Sequence, residues 1–153
     1  MKQQQPNGKT KIFEQLCESL PDALLIIDKK GRIVQSNALA ETMFGYSGEE
    51  LQSLSVEMLM PEQFRQVHGE HRSTYSADPR SRMMGSGMRF LARRKDGTEF
   101  PVDIALGPIQ SEVETMILCS IRDVSERNRM DESIRKFSVA IEQTADCVII
   151  TDR

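Results

Sequence analysis

The two histidines, His68 and His71, are the residues of this chain best suited to bind a metal ion. They are three residues apart in a segment opened by Pro61, and this spacing predicts that both lie on one face of a helix. Two imidazoles do not close a zinc site, and Glu70, which lies between them, points to another side of that helix. The pattern alone therefore does not predict a zinc site.

Motifs typical of catalysis are missing or out of context. Ser133-Ile134-Arg135-Lys136 matches the S-x-x-K pattern but lacks its partner motifs. Gly85-Ser86-Gly87 is not followed by a phosphate-binding helix or a P-loop lysine. We therefore expect no catalytic residue in this chain.

The three cysteines form no CxxC pair and no disulfide framework, which suits a reducing compartment. They are Cys17, Cys119 and Cys147.

Length and charge narrow the class of protein further. The chain has 153 residues, enough for one domain and a fragment of a second, and its net charge of −3 does not indicate attraction to nucleic acid. The longest apolar stretch, Ala23–Ile27, is too short to span a membrane, and residues 1–8 lack the apolar core of a secretory signal. These features predict a cytoplasmic protein without a membrane segment.

The hydrophobic pattern predicts the elements that must position these residues, and it indicates an α+β domain with an antiparallel sheet. Asn37 or Ser36 can cap a helix that Gly45 ends, and Ser47 opens a capping box. Lys95-Asp96-Gly97 is a strong hairpin turn. The predicted helices are 10–20, Ala38–Phe44, a short one after Ser47, and Pro61 to about Tyr75. The predicted strands are Ala23–Asp28, Ile33–Gln35, 88–93, Phe100–Leu106 and Thr115–Arg122. Gly107-Pro108 is expected to close the fourth of these strands, and the fifth is expected to be central.

The C-terminal part contains an apolar seam and a repeat. Four apolar residues at 4-3-4 spacing predict one apolar side of a helix, which either docks on its own domain or forms a coiled-coil seam. The segment that begins at Phe137 also repeats, without a gap, the pattern that begins at Phe13, so we expect a second unit to start here. The seam residues are Met130, Ile134, Phe137 and Ile141.

Taken in order, these segments resemble the PAS sensor-domain family over roughly residues 13–127. The resemblance implies a five-stranded antiparallel sheet with helices on one face, a small pocket, and a signal that leaves through the Asp123–Arg127 junction into the next helix. The stretches that carry it are Pro21-Asp22-Ala23, Ile26-Ile27-Asp28, Gly31-Arg32-Ile33, Ser36-Asn37, Phe44-Gly45-Tyr46, Glu49-Glu50-Leu51, Leu59-Met60-Pro61, Arg94–Thr98, Phe100-Pro101-Val102 and Asp123–Arg127.

The family resemblance sets the expected domain boundaries. Residues 1–10 are expected to form a flexible lead-in, and residues 11–123 the PAS domain with its N-terminal helix. Residues 124–144 would form the exit helix, and residues 145–153 the first strand of a truncated second PAS repeat. Such a chain would form homodimers through its flanking helices and connect to further PAS and output domains, such as a histidine kinase or a cyclic-di-GMP enzyme.

A narrower resemblance concerns haem. Met60-Pro61-Glu62, Arg65, His68, Tyr75 and Arg94–Gly97 look like the haem-PAS oxygen-sensor kinases of the FixL type, in which His68 would be the axial ligand of haem b. Met88 stands where those sensors have the arginine that stabilises oxygen. A thioether cannot donate that hydrogen bond, but it can itself be a ligand of iron, so Met88 is a candidate cofactor-binding residue. The resemblance places Met83, Ile104 and Leu106 on the apolar pocket wall and Arg82 beside a propionate. Leu118 is also expected to contact the cofactor.

Three interpretations therefore stay open for this sensory domain. It binds a small molecule, it binds haem through His68 as a gas sensor, or it is a ligand-free structural dimerisation module with a filled core. A flavin is not expected, because the chain lacks the Asn-Cys-Arg-Phe motif of light-oxygen-voltage photosensors.

Overall fold

A computed structural model describes residues 8–80, 82–84, 89–110 and 112–150. They form two units, one ending at Asp123 and one beginning at Val124. The first unit contains, in order, α1 (Gly8–Ser19), β1 (Ala23–Ile27), β2 (Ile33–Ser36), α2 (Ala38–Phe44), α3 (Gly48–Gln52), the 3₁₀ turn η1 (Val56–Leu59), α4 (Glu62–Ala77), β3 (Arg82–Met84), β4 (Phe90–Arg93), β5 (Glu99–Gln110) and β6 (Thr115–Asp123); the second contains α5 (Ser125–Ile150).

The strands of the first unit form one antiparallel sheet with the order β2-β1-β6-β5-β3. The fourth strand also pairs with β5: β4 lies opposite Glu99–Val102, and β3 lies opposite Ile104–Leu106. The sheet is therefore five strands wide, with β3 and β4 sharing one edge position. This confirms the predicted α+β class and the five-stranded antiparallel sheet.

The core lies on one face of this sheet, which we call the inner face. Alternate residues of β1 and β6 face it, because successive side chains of a strand point to opposite sides. Helices α2, α3 and α4 cover it with Phe44, Leu51 and Tyr75, all of which are buried. The central position of β6, between β1 and β5, explains why this strand is apolar on both faces. The other strand residues of this core include Leu25, Ile27, Val102, Ile117, Cys119 and Ile121.

The predicted helix ends are confirmed in detail. The Asn37 side chain accepts a hydrogen bond from the backbone N–H of Ala40, and Gly45 ends α2 with a left-handed φ of 77°. Ser47 and Glu50 form the capping box that opens α3. These ends are local events, decided by side chains within four residues of the backbone groups that they satisfy.

Two element ends differ from the prediction. Strand β5 does not close at Gly107-Pro108 but continues to Gln110, paired with β6. Among the described residues no strand lies on the other side of this segment, and proline is tolerated at such an edge because its missing N–H costs no ladder bond there. Helix α1 begins at Gly8, inside the expected lead-in of residues 1–10, of which residues 1–7 lie outside the described part.

The prediction of a strand at residues 145–153 is wrong for residues 145–150, because α5 continues to Ile150. Within the described residues this segment pairs with no strand, and a helix satisfies backbone N–H and C=O groups without a neighbour. Residues 151–153 lie outside the described part. The start of a second unit, which the sequence repeat predicts, stays a prediction. Among the described residues, no helix is long and apolar enough to cross a membrane.

Candidate functional site

His68 lies on α4, on the side of the helix that faces η1. Its Nδ1 is 3.1 Å from Oε1 of Glu57, a residue of η1, and its side chain is about one-third exposed. His71, three residues further along α4, is exposed. The structure therefore separates the two histidines, since His68 has a carboxylate partner in another element and His71 faces solvent.

Arg72, one turn after His68, completes this arrangement. Its Nε donates to the same Glu57 Oε1 at 2.8 Å, and its Nη1 donates to the backbone carbonyl of Lys29 at 3.1 Å. Lys29 is in the turn that joins β1 and β2. The guanidinium lies against Gly31, where an added Cβ would be 2.7 Å from Arg72 Cζ. Gly31 has a φ of 81°, so glycine serves both this conformation and the close approach.

The Glu57 carboxyl group is charged in this setting. Burial alone would raise its pKa, but hydrogen bonds from a backbone N–H, His68 and Arg72, together with the positive charge of Arg72, lower the pKa below its ordinary value. Glu57, His68 and Arg72 form a cluster, hereafter the Glu57 cluster, which joins α4 to η1 and to the β1–β2 turn.

The residues predicted to line a pocket are only partly brought together. Ile104 and Leu106 pair with Ile121 and Cys119 of β6, so they lie on the inner face, and both are half-buried against the core. In strand β3, Arg82 pairs with Leu106 and Met83 pairs with Ala105. Met88 lies outside the described residues.

Leu118 does not belong to this pocket. It pairs with Ile26 and Gly107, one residue out of phase with the inner-face positions of β6, and so faces the opposite side of the sheet. There it lines a cavity of about 40 Å³ beneath α1, together with Cys17, Leu24 and other residues. This volume accommodates water but no larger ligand. The assignment of Leu118 to the ligand pocket is therefore wrong.

The chemistry of His68 and its Glu57 contact fit the axial ligand of a haem group. Iron takes an imidazole nitrogen as axial ligand, and a histidine that ligates a metal usually donates its other ring N–H to a carboxylate or carbonyl. His68 has this second contact through Glu57. Ile104 and Leu106 supply half-buried apolar side chains on the inner face.

The exit from the sheet is the second feature of functional interest. Strand β6 ends at Asp123 and α5 begins at Ser125, so one residue separates the central strand from the helix. Arg94, in the turn between β4 and β5, donates from Nη2 to Asp123 Oδ2 at 3.1 Å and stacks over the ring of Phe100 at 3.7 Å. The end of β6 is thus held by a side chain that also contacts the core.

The predicted apolar seam is present on α5. Met130, Ile134, Phe137 and Ile141 are each more than half exposed. Their 4-3-4 spacing places them on one side of the helix. We call these four residues the α5 seam. An exposed apolar stripe of this kind is typical of a helix that pairs with another helix.

The sequence did not reveal the other two members of the Glu57 cluster, Glu57 and Arg72. Arg72 carried a usable signal, because it follows His68 by four residues and must lie on the same helix face. Glu57 carried no such signal, since its contact depends on how η1 folds against α4.

A family model for the PAS fold matches residues 11–124 of the chain.

Two curated relatives are sensor proteins. The chain is 31% identical over 122 residues to the sensor protein FixL of Bradyrhizobium diazoefficiens, a match that covers 80% of this chain and 24% of FixL. It is 25% identical over 146 residues to the oxygen sensor protein DosP of Escherichia coli, covering 95% of this chain and 18% of DosP. The chain thus spans a quarter or less of these relatives.

Solved structures support the same fold. A PAS domain from a two-component sensor histidine kinase superimposes with a TM-score of 0.63 at 16% identity, covering 78% of this chain and 99% of that one. A PAS domain from Colwellia psychrerythraea superimposes with a TM-score of 0.64 at 21% identity, covering 76% and 97%.

Proposed function

The chain belongs to the PAS family, and we propose that it is a cytoplasmic sensory domain of a bacterial multidomain signal-transduction protein. In this proposal it perceives a small ligand or a redox or gas cue, performs no catalysis, and acts on an output such as a histidine kinase or a cyclic-di-GMP enzyme. The match to two bacterial sensor proteins supports the proposal, as do the free thiols of Cys17 and Cys119, which suit a reducing compartment.

The direct passage from β6 into α5 is the observation that carries this function. β6 is the central strand, paired with β1 on one side and β5 on the other, and its inner-face residues Ile117, Cys119 and Ile121 are in the core. A ligand that alters the packing of this core shifts β6, and the shift reaches α5 through a single intervening residue. The ion pair of Arg94 with Asp123 adds a second link at the same point.

The α5 seam is the surface through which this movement would reach a second chain. In the proposal, the seams of two identical chains pair, and a change at β6 alters the register or crossing angle of the two helices. The chain offers a matched control, because Glu132 and Lys136 are exposed and lie outside the seam of the same helix.

Sedimentation equilibrium tests the pairing. We expect the 17.4 kDa chain to sediment at twice that mass. The double variant Ile134→Asp, Phe137→Asp should return to the monomer mass, because two charges would be buried in the paired seam. The control Glu132→Gln, Lys136→Gln should stay dimeric. A weak dimer has a dissociation constant of up to roughly 100 µM. A wild-type chain that is monomeric at every concentration up to about that value contradicts the proposal.

A haem-based gas sensor is the second candidate, and the contact between His68 and Glu57 favours it. The similarity of the chain to DosP, an oxygen sensor protein, supports the same candidate. In this candidate His68 would hold the haem iron, Glu57 and Arg72 would fix the imidazole, and Ile104 and Leu106 would contribute apolar side chains on the inner face. Bound haem would supply the gas-binding iron.

The absorption spectrum of protein expressed with a supply of haem tests this candidate. We expect a Soret band that is lost in His68→Ala, because the axial ligand is removed, and kept in His71→Ala, which changes an exposed histidine on the same helix. A wild-type protein without a Soret band removes the haem candidate and leaves the small-molecule and ligand-free interpretations. A band that survives His68→Ala removes His68 as the ligand.

A further inference from the structure

The Glu57 cluster fixes not only where the His68 ring lies but also which of its nitrogens carries the proton. We propose that Glu57 is a positioning residue that holds His68 in the tautomer protonated at Nδ1 and thereby leaves the lone pair of Nε2 available to an electrophile. The identity of the electrophile as haem iron rests on the second candidate function. The tautomer of His68 does not depend on that candidate.

The hydrogen-bond donors around Glu57 Oε1 decide the tautomer. Arg72 Nε donates to this oxygen at 2.8 Å, and a guanidinium can only donate. The Glu57 carboxylate forms an ion pair with this guanidinium, and a carboxylate can only accept. The 3.1 Å contact of His68 Nδ1 with the same oxygen is therefore a hydrogen bond only if Nδ1 carries hydrogen. A neutral imidazole has one such hydrogen, which leaves Nε2 unprotonated.

The position of the carboxylate is itself fixed from a third element. Arg72 donates to the carbonyl of Lys29 as well as to Glu57, so it links α4 to the β1–β2 turn. Gly31, which has no side chain, leaves room for its guanidinium. Glu57 and Arg72 are each less than one-fifth exposed, and neither has the freedom of a surface ion pair. His68 thus donates its hydrogen bond to a restrained carboxylate.

Such an arrangement raises the ability of the histidine to bind a metal. A hydrogen bond from Nδ1 to a carboxylate increases the basicity of Nε2 and orients the ring, and removing a partner of this kind typically costs about 10–100-fold in metal affinity. We expect a loss of that size in haem affinity for Glu57→Ala. Glu57→Gln, which keeps an acceptor oxygen, should restore most of it.

The test begins with the protein free of haem, so that it does not depend on the second candidate function. Two-bond proton–nitrogen correlation spectra at pH 8, where an ordinary imidazole is neutral, report the protonated ring nitrogen. The signals of His68 are those missing in His68→Ala, and the exposed His71 is an internal control. We expect the Nδ1–H form in the wild type and in Glu57→Gln, and a shift towards the Nε2–H form in Glu57→Ala.

A haem titration of the same proteins follows, with Glu49→Ala as the control for loss of an exposed carboxylate. An Nε2–H form of His68 in the wild type, or an unchanged tautomer in Glu57→Ala, overturns the inference whether or not haem binds. An Nδ1–H form in a wild type that binds no haem supports the positioning role and instead removes the haem candidate. If the wild type binds haem, an equal haem affinity of Glu57→Ala also overturns the inference.

Discussion

Replacing Phe44 by alanine should lower the free energy of unfolding by about 3–5 kcal/mol. Phe44 ends α2 and is 1% exposed, and its ring centroid is 5.9 Å from that of Phe100 on β5. The truncation therefore leaves a cavity between the helices and the sheet and removes an aromatic contact at the same time. Urea denaturation followed by circular dichroism measures the change.

Phe64 is the matched control for this substitution. It also lies on a helix, α4, but is 46% exposed. Phe64→Ala should change the free energy of unfolding by no more than about 0.5 kcal/mol, as is usual for surface positions. If the two alanine variants proved equally stable, Phe44 would not lie in the core described here.

Asn37→Ala should cost at least about 3 kcal/mol of stability, because this one side chain satisfies four backbone groups. Its Oδ1 accepts from the N–H groups of Leu24 and Ala40, and its Nδ2 donates to the carbonyls of Cys17 and Asp22. Asn37 is buried, so water cannot replace these bonds without opening the junction of α1, β1 and α2.

Ser47→Ala separates this effect from ordinary capping. Ser47 caps α3 at an exposed site, and its loss should cost about 1 kcal/mol. The same denaturation experiment therefore compares a cap alone with a cap that also joins three elements. Similar costs for the two variants would mean that the bonds of Asn37 to Cys17 and Asp22 contribute nothing.

Local chemistry explains which parts of the fold could be predicted. Gly45, Ser47 and the Lys95-Asp96-Gly97 turn, in which Gly97 has a φ of 89°, act within a few residues of their own backbone, so the sequence reveals them. The junction at Asn37 was predicted only as a helix cap. Its bonds to Cys17 and Asp22 reach back to α1 and to the residue before β1, and no local pattern shows them.

The two wrong assignments share a cause. A run such as Cys147-Val148-Ile149-Ile150 is compatible with a strand or a helix, and the outcome depends on whether a neighbouring strand is present. Leu118 was misplaced because a shift of one residue along β6 exchanges the two faces of the sheet. Both errors concern pairing between distant segments, which hydrophobicity alone does not specify.

The candidate site shows the same division. His68 could be singled out by its type and its place on a helix, whereas Glu57 and the carbonyl of Lys29 come from other elements and meet α4 only in the folded chain. The α5 seam, in contrast, was predicted in full, because all four residues belong to one helix and their spacing determines their side.

Disulfide crosslinking across the α5 seam tests most directly whether this domain signals as a helix-paired dimer. With Cys17 and Cys147 replaced by serine, single cysteines at Ile134 and at Phe137 should each give a crosslinked species of twice the chain mass under mild oxidation. A cysteine at Glu132, on the same helix but outside the seam, should give little. Equal crosslinking at all three positions, or none at Ile134 and Phe137, would contradict the account.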